Sequence, residues 1–473
     1  MSASVTREFA EALLARAQAG LGPAAAATAT DLLCDGLAVA CLGAGEPAPR
    51  ILARLARQTG GVAEATLFAQ ADGAALVPAE AAARANGAAM HVLDYEPMWN
   101  PANHALSTTL PAVLALAERQ ARLAPGGAPD GARILLALAL GIEAQARLRL
   151  ASGQFEPGQL LFHPPGMVGA IGSAVACGLL LGLDAERLTH AMGIAASRAG
   201  GVIANVGSMT KCLHCGDAAA AGLGAAVLAA EGFTADADAL GSPRGWGRAF
   251  SGAGFSAAPL TAEAEDWHIT TPGPAFKLFP SQYGTHFVIA AALAARQGWD
   301  GRSPIRRVTV TAPAMAYVDR PLPASGLAGK FSFQFCIAAA LLDGRVGVES
   351  FSDARRFAPD LAALLGKVEI VPDPLREGRF DRMRVEVAVA LEDGQVLEGA
   401  CDGPPGIWGR PVTPAVLREK WRDCLAMALD EARAAGVLAA ASGFAERGPD
   451  AVLAVMAASG VANPAYECIQ TER

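Results

Sequence analysis

Charge and aromatic surface are both scarce in this chain. Of its 473 residues, 18% are Asp, Glu, Lys or Arg, 6% are Phe, Trp or Tyr, and seven are histidine. The net charge is −8 and no basic stripe occurs, so the chain lacks the electrostatic footprint that a nucleic-acid partner requires. The opening MSASVTREFAEALLARAQ mixes both charge signs and contains no apolar core, so no secretion signal is expected and the predicted location is cytoplasmic. No HExxH, DxDxDG loop, glycine-rich phosphate loop or GxSxG elbow is present, which removes the commonest zinc, calcium, nucleotide and serine-nucleophile chemistries. Between Glu156 and Asp184 charge vanishes altogether, over a length sufficient to span a bilayer. That window contains HPPG and several glycines and has no basic flank, so it predicts a helix buried on all sides in a protein core, with no membrane partner.

What is present is small and apolar. Hydrophobic residues make up 52%, mostly Ala, Leu and Val, a composition that favours closely packed helices. The nine cysteines are odd in number and scattered, and several stand in apolar helical surroundings, which suits buried free thiols in a reducing compartment. From Val5 to about Ala262 apolar positions recur at three- and four-residue spacing, punctuated by Asp, Gly and Pro. Near Thr271 the texture changes: RRVTVTAP, GKVEIVPD and RMRVEVAVALEDGQVLEGA alternate apolar and polar residues, and the last carries an Asp-Gly hairpin signal. After Pro411 helical texture returns. The expected fold class is mainly α, with residues 1–270 and 405–473 forming one helical domain and 271–404 an inserted α+β domain. A small ligand would be expected in the cleft between them.

Reactive side chains concentrate in a few places. GSMTKCLHCGDAAAAGL sets Lys211, Cys212, His214 and Cys215 within five positions, just before a helix expected from about Asp217. A lone CxxC without a second ligand pair is weak support for zinc, and no redox-type βαβ context surrounds it. His190 and His268 have no reactive company. His104 stands with Asp94 and Trp99 in HVLDYEPMWNPANHALSTTLPA, His163 precedes the uncharged helix in LLFHPPGMVG, and Lys277 lies at the junction of the two expected domains. A lysine in such apolar company either meets an anion or snorkels to the surface. On the first alternative, Lys211, Lys277 and the histidines form a pocket for carboxylates.

The stretches LDYEPMWNPANHALSTTLPAVLALAE, LLFHPPGMVGAIGSAVACGLLLGL, GSMTKCLHCGDAAAAGLGAAVLAAEGF, FKLFPSQYGTHFVIAAALA and GKFSFQFCIAAALLDGRV occur in order across nearly the whole chain. They resemble successive motifs of the MmgE/PrpD family, which includes 2-methylcitrate dehydratase, cis-aconitate decarboxylase and iminodisuccinate epimerase. The resemblance implies a large helical domain, a smaller α+β lid, a homodimer, and catalysis with neither metal nor organic cofactor. It implies catalytic roles for Asp94, His104, His163 and Lys211, and substrate contacts from Lys277, Gln282, Met98 and His214. Met98 and Gln282 depart from the decarboxylase pattern, which has threonine and histidine there. The implied activity is that of a lyase or isomerase moving a proton at a carbon beside a carboxylate of a small di- or tricarboxylate. A dehydratase-like reaction comes first; epimerisation and decarboxylation are the alternatives, and a non-catalytic polycarboxylate-binding protein is the reading from another class. In this reading Lys211 and Lys277 stabilise the developing oxyanion, His104 is the general acid/base, Asp94 orients it, and His163 binds a carboxylate or shares the proton work.

Overall fold

The computed structural model describes residues 4–156, 158 and 160–463; Met1–Ala3, the last ten residues of the expected C-terminal return and the ninth cysteine, Cys468, lie outside the described residues. The fold is mainly α. Aspartate and proline punctuate the helices as their capping chemistry dictates. Asp130 and Asp184 accept the backbone N–H groups of Arg133 and Arg187 at 2.8 and 2.9 Å, while Pro23, Pro47, Pro164 and Pro414 occupy first helical positions. All seventeen residues of the Pro164–Leu180 helix, cut from the uncharged window, are buried. Two other helices, Pro23–Gly43 and Thr210–Ala230, are long and apolar enough to cross a membrane, and 72% of each apolar window is buried inside this structure.

Small residues set how closely the helices meet. Gly87 on the Ala79–Val92 helix faces Gly216 on the Thr210–Ala230 helix, where an added Cβ would lie 3.0 Å from the Gly216 Cα. An added Cβ at Gly216 would lie 2.2 Å from the Arg84 carbonyl oxygen, and one at Gly222 would lie 2.4 Å from the Ser173 Cβ. The Gly87–Gly216 crossing packs the helix that leads into Asp94 against the helix that carries Lys211 in its first turn.

A four-stranded sheet follows in the second half, in the order Val368–Pro372, Ile305–Ala312, Val385–Leu391, Val396–Cys401. The first pair is parallel and the other two are antiparallel. Val385–Leu391 alternates buried and half-buried residues throughout, and Gly394, at φ 91°, turns the hairpin that the Asp-Gly signal predicts. The Tyr283–Arg296 and Phe333–Asp343 helices pack beside the sheet. Two large apolar cores result, beside a small cluster of Ala48, Ala88 and Cys212. One gathers side chains from Phe9 to Ile269 and from Leu417 to Ala462, joined by Val348. The other runs from Ala275 to Ile407 and takes Met98 from the N-terminal half.

Two local expectations differ from the structure. The helix expected near Asp217 begins at Thr210, because Lys211 and Cys212 are buried and the helical backbone extends back to enclose them. The N-terminal half also contains a short antiparallel ribbon, Ala65–Thr66 with Leu76–Val77, whose two-residue strands are too brief to show alternation in sequence.

The crossing makes a contrast measurable. Gly216→Ala forces two backbones apart and should destabilise the protein by about 1–3 kcal/mol, the usual range for overpacking. At Gly224 an added Cβ meets only the carboxylate end of Glu80, which is free to move. Gly224→Ala should therefore be neutral or gain up to about 1 kcal/mol of helix propensity. Thermal unfolding of the two variants side by side tests this, and equal losses would contradict it.

Candidate active site

The site begins where the Ala79–Val92 helix ends. Asp94 turns the chain at φ 53°, a left-handed conformation that aspartate tolerates better than most side chains. Three consecutive carbonyls of this turn each accept a hydrogen bond from a buried lysine. Lys330 Nζ donates to Leu93 O, Lys277 Nζ to Asp94 O, and Lys420 Nζ to Tyr95 O, each at 2.9 Å. The Asp94 carboxylate is itself ion-paired through Oδ2 with Lys211 and through Oδ1 with Lys277. Burial alone would push this carboxyl up, but the two ammonium groups outweigh it and hold Asp94 well below the usual carboxylate range. Burial pushes Lys277 down, opposed by Asp94. It also pushes Lys330 down to about 8, opposed by Glu46 and Asp94.

Beside this cluster lies a second one, built on Glu96. Its Oε1 hydrogen-bonds His91 Nδ1 and lies 3.1 Å from His104 Nδ1. Against the effect of burial, the two histidines hold Glu96 well below its ordinary range. An ionised carboxylate can only accept, so it assigns the Nδ1–H tautomer to His91, and its charge 3.1 Å from His104 Nδ1 favours the same tautomer there. That leaves His104 Nε2, 3.7 Å from Asp94 Oδ1, as a free base. Burial pushes His91 down to about 4, lowers His104 and sets His163 well below its ordinary value, so all three rings are neutral near pH 7. His163 caps the Pro164–Leu180 helix, and its Nδ1 lies 3.3 Å from His214 Nδ1.

A cavity of about 290 Å³ opens onto Asp94, Asn103, His104, His163 and Lys211. Met98, Leu160, Ile203, Val206, Phe331 and Phe380 supply most of its apolar wall, and Gln282, Tyr283, Tyr317 and Arg320 complete it. Six of the eight residues singled out in the sequence therefore face one space. Lys277 and His214 do not line it. Lys277 is fully buried behind Asp94, and its three donors are taken by Asp94 Oδ1, Asp94 O and Ser281 O. It holds the aspartate and has no N–H left for a substrate, which corrects its assignment as a substrate contact. His214, half-buried, reaches the site only through its contact with His163. Gln282 Nε2 reaches Tyr317 Oη at 3.3 Å, and Met98 pairs its backbone with Ala275.

Sequence reasoning passed over His91, Glu96, Lys330 and Arg320. Glu96 lies two residues beyond Asp94 in the same loop, and a second carboxylate between two histidines, His91 and His104, was the available signal. Lys330, in GKFSFQF, carried the same apolar-company signal as Lys211.

The cysteines stand apart from this chemistry. Cys212 and Cys215 are buried, and burial pushes the Cys212 thiol up to about 12 and that of Cys215 well above its ordinary value. Protonated thiols are neither good nucleophiles nor metal ligands. Among the described residues, the donor sets close enough to share a cation are His91, His104 and His163, and Asp94, Glu96 and His104. In the second set a metal would compete with two ammonium groups for Asp94.

Residues 7–257 match the MmgE/PrpD N-terminal domain and residues 279–442 its C-terminal domain. The chain belongs to the MmgE/PrpD family. It is 34% identical over 352 residues to the cis-aconitate decarboxylase of Homo sapiens, covering 73% of this chain and 72% of the relative. It is 32% identical over 399 residues to that of Mus musculus, covering 83% and 80%. To that of Aspergillus terreus it is 25% identical over 435 residues, covering 85% of each. This MmgE/PrpD protein is accordingly an enzyme, a lyase or isomerase.

The histidine pKa shifts carry a testable sign. Because burial lowers His104, its neutral, proton-accepting form persists below its ordinary pKa of about 6.5. The acid limb of kcat/KM should therefore lie below that pH. Glu96 is the group that opposes this lowering. Glu96→Gln should move the limb further to acid and cut kcat by at least about tenfold through loss of the oriented tautomer. An unshifted limb would show that Glu96 does not act through His104.

Proposed function

We propose that this MmgE/PrpD enzyme is a cofactor-independent, dehydratase-like lyase of a small di- or tricarboxylate. One observation carries the reading: a neutral His104 Nε2 and the ammonium of Lys211 face the same cavity. Of the three donors of Lys211, one is committed to Asp94 among the described residues. The others are free to hold a substrate carboxylate. His104 then takes the proton from the adjacent carbon, and the electron pair spreads into that carboxylate. Lys211 meets the growing negative charge directly; Lys277 supports it through Asp94. Fixed cations in a low-dielectric wall are worth about 3 kcal/mol or more at such a step. When the neighbouring C–O bond breaks, the proton on His104 passes to the departing hydroxide, leaving a double bond and water.

Decarboxylation is the second reading, supported by relatives of 32–34% identity that bear that name. The same anchored carbanion forms when carbon dioxide leaves. His104 must then arrive protonated, which the added negative charge of a bound polycarboxylate favours. The second core, which supplies Tyr283 and Phe380 to the cavity, is proposed to act as the lid.

Proton NMR in deuterium oxide with citrate, methylcitrate, cis-aconitate and iminodisuccinate separates these reactions. The expected result is deuterium at the carbon beside a carboxylate together with loss or addition of water. Carbon dioxide release would select the second reading, exchange without net conversion an epimerase, and no change in any substrate would remove the proton-transfer reading. Lys211→Ala should lower kcat by on the order of 10²-fold, and Lys211→Arg should recover little of it. His104→Ala should lower kcat by about 10²–10⁴-fold. If both variants raised KM alone, the two residues would serve uniform binding.

We also propose a homodimer, since Ile51 and Leu55 lie 40% and 49% exposed along the Pro47–Thr59 helix. A stable monomer by light scattering at micromolar concentration would contradict it.

A further inference from the structure

Proton transfer beside a carboxylate needs one anchored carboxylate, yet the cavity presents a second cation that this chemistry leaves unused. Arg320 stands in its wall, half-buried, and shares an aromatic neighbour with Lys211. Lys211 Nζ lies 5.3 Å and Arg320 Cζ 5.7 Å from the centroid of the Phe331 ring. The two charges are thus tied to one ring and lie within reach of a single small molecule.

Arg320 is held in place along its length. Its backbone N–H donates to Gln334 Oε1 at 3.2 Å, its carbonyl accepts from Ser332 Oγ at 2.6 Å, and its Nε donates to Tyr317 O at 2.9 Å. Opposite Nη1 stands Gly207, where an added Cβ would come within 2.9 Å. Among the described residues neither Nη1 nor Nη2 has a protein acceptor. A guanidinium fixed at its base with its outer edge free presents the fork that a carboxylate fits.

Beyond Lys211 and Arg320 the described wall offers a third carboxylate no cation, and its other donors, on Gln282, Tyr283 and Tyr317, are neutral. Met98, Leu160, Ile203 and Val206 are apolar. Asn103 donates through Nδ2 to Gln145 Oε1 at 3.1 Å, and Gln145 in turn donates to Ala105 O, so the amide orientations are set. Asn103 Oδ1 is left buried without a partner, an acceptor that would repel an anion. Gln282 is neutral where the decarboxylase pattern has histidine. An unpaired carboxylate buried in such a wall is costly.

We propose that Arg320 is a second carboxylate anchor of this active site, and that the substrate is a small dicarboxylate whose third arm carries no charge. The inference rests on the proton-transfer reading for the placement of the first carboxylate at Lys211.

Titration calorimetry on the full chain tests it with two probes of the same shape. cis-Aconitate carries three carboxylates, and 2-ethylmaleate replaces the third by a methyl group. The expected result is 2-ethylmaleate binding at least about tenfold tighter than cis-aconitate. Arg320→Gln should weaken 2-ethylmaleate by about tenfold or more, and Arg320→Lys, which keeps the charge but loses the fork, should recover part of that loss. Unfolding curves of the variants show whether the fold is kept, and Arg320→Lys alone carries the test if Arg320→Gln does not fold. Equal or tighter binding of cis-aconitate, unchanged affinity in the variants, or no binding of either probe would overturn the proposal. Binding is read without turnover. Failure of the proton-transfer reading would appear separately, as absent deuterium exchange in an enzyme that still binds 2-ethylmaleate.

Discussion

The structure depends on one turn, Leu93 to Glu96, that cannot hold its shape alone. A left-handed aspartate, buried and ionised, sits at its centre. Lysines from four distant stretches converge on it: Lys211, Lys277, Lys330 and Lys420. Each ammonium would be intolerable in this interior without its oxygen partners, and the turn would leave its carbonyls and carboxylate unpaired without the ammonium groups. Removing one member of such a set strands the others, which commonly costs about 3–5 kcal/mol. Apolar packing could bring the same segments together, but it is not directional and would leave the turn free to rotate. The ionic set ties Lys277 and Lys330, from the second half of the chain, to a turn of the first half.

Within that set the two sides of Asp94 have come to differ. On one side Lys277 is saturated by protein oxygens and serves as a strut. On the other, Lys211 keeps donors free at the cavity wall. Glu96 repeats the division with imidazoles, holding His91 in the interior and orienting His104 toward the opening. Two carboxylates two residues apart thus do different work, because one meets ammonium groups and the other meets neutral rings. Neutral rings in apolar surroundings are suited to taking a proton, and fixed ammonium groups to receiving the charge left behind.

The poverty of charge noted in the composition belongs to the same design. Alanine and glycine at the helix crossings let the backbones approach until Lys211 reaches Asp94. The uncharged Pro164–Leu180 helix runs from His163 into the interior and adds no charge to it. In such surroundings each remaining charge acts at greater strength than it would in water.

The amino-acid sequence by itself determined the helical texture, the position of the strands and hairpin, the wholly buried helix after His163, and the family. These are local or periodic properties, written in neighbouring residues. It also marked Asp94, His104, His163 and Lys211, because scarce reactive groups stand out against an apolar background. Tertiary structure decided which of them share a space. Lys277 and Lys211 read alike in sequence, and only the packing of the 277–281 loop behind Asp94 consumes every donor of one and spares the other. Glu96 and His91, five residues apart, were legible as a pair, whereas Arg320 was not, for a related reason. Its guanidinium acquires a role from a cavity shared with Lys211 at long separation in the chain, and no local pattern records which partners folding will bring.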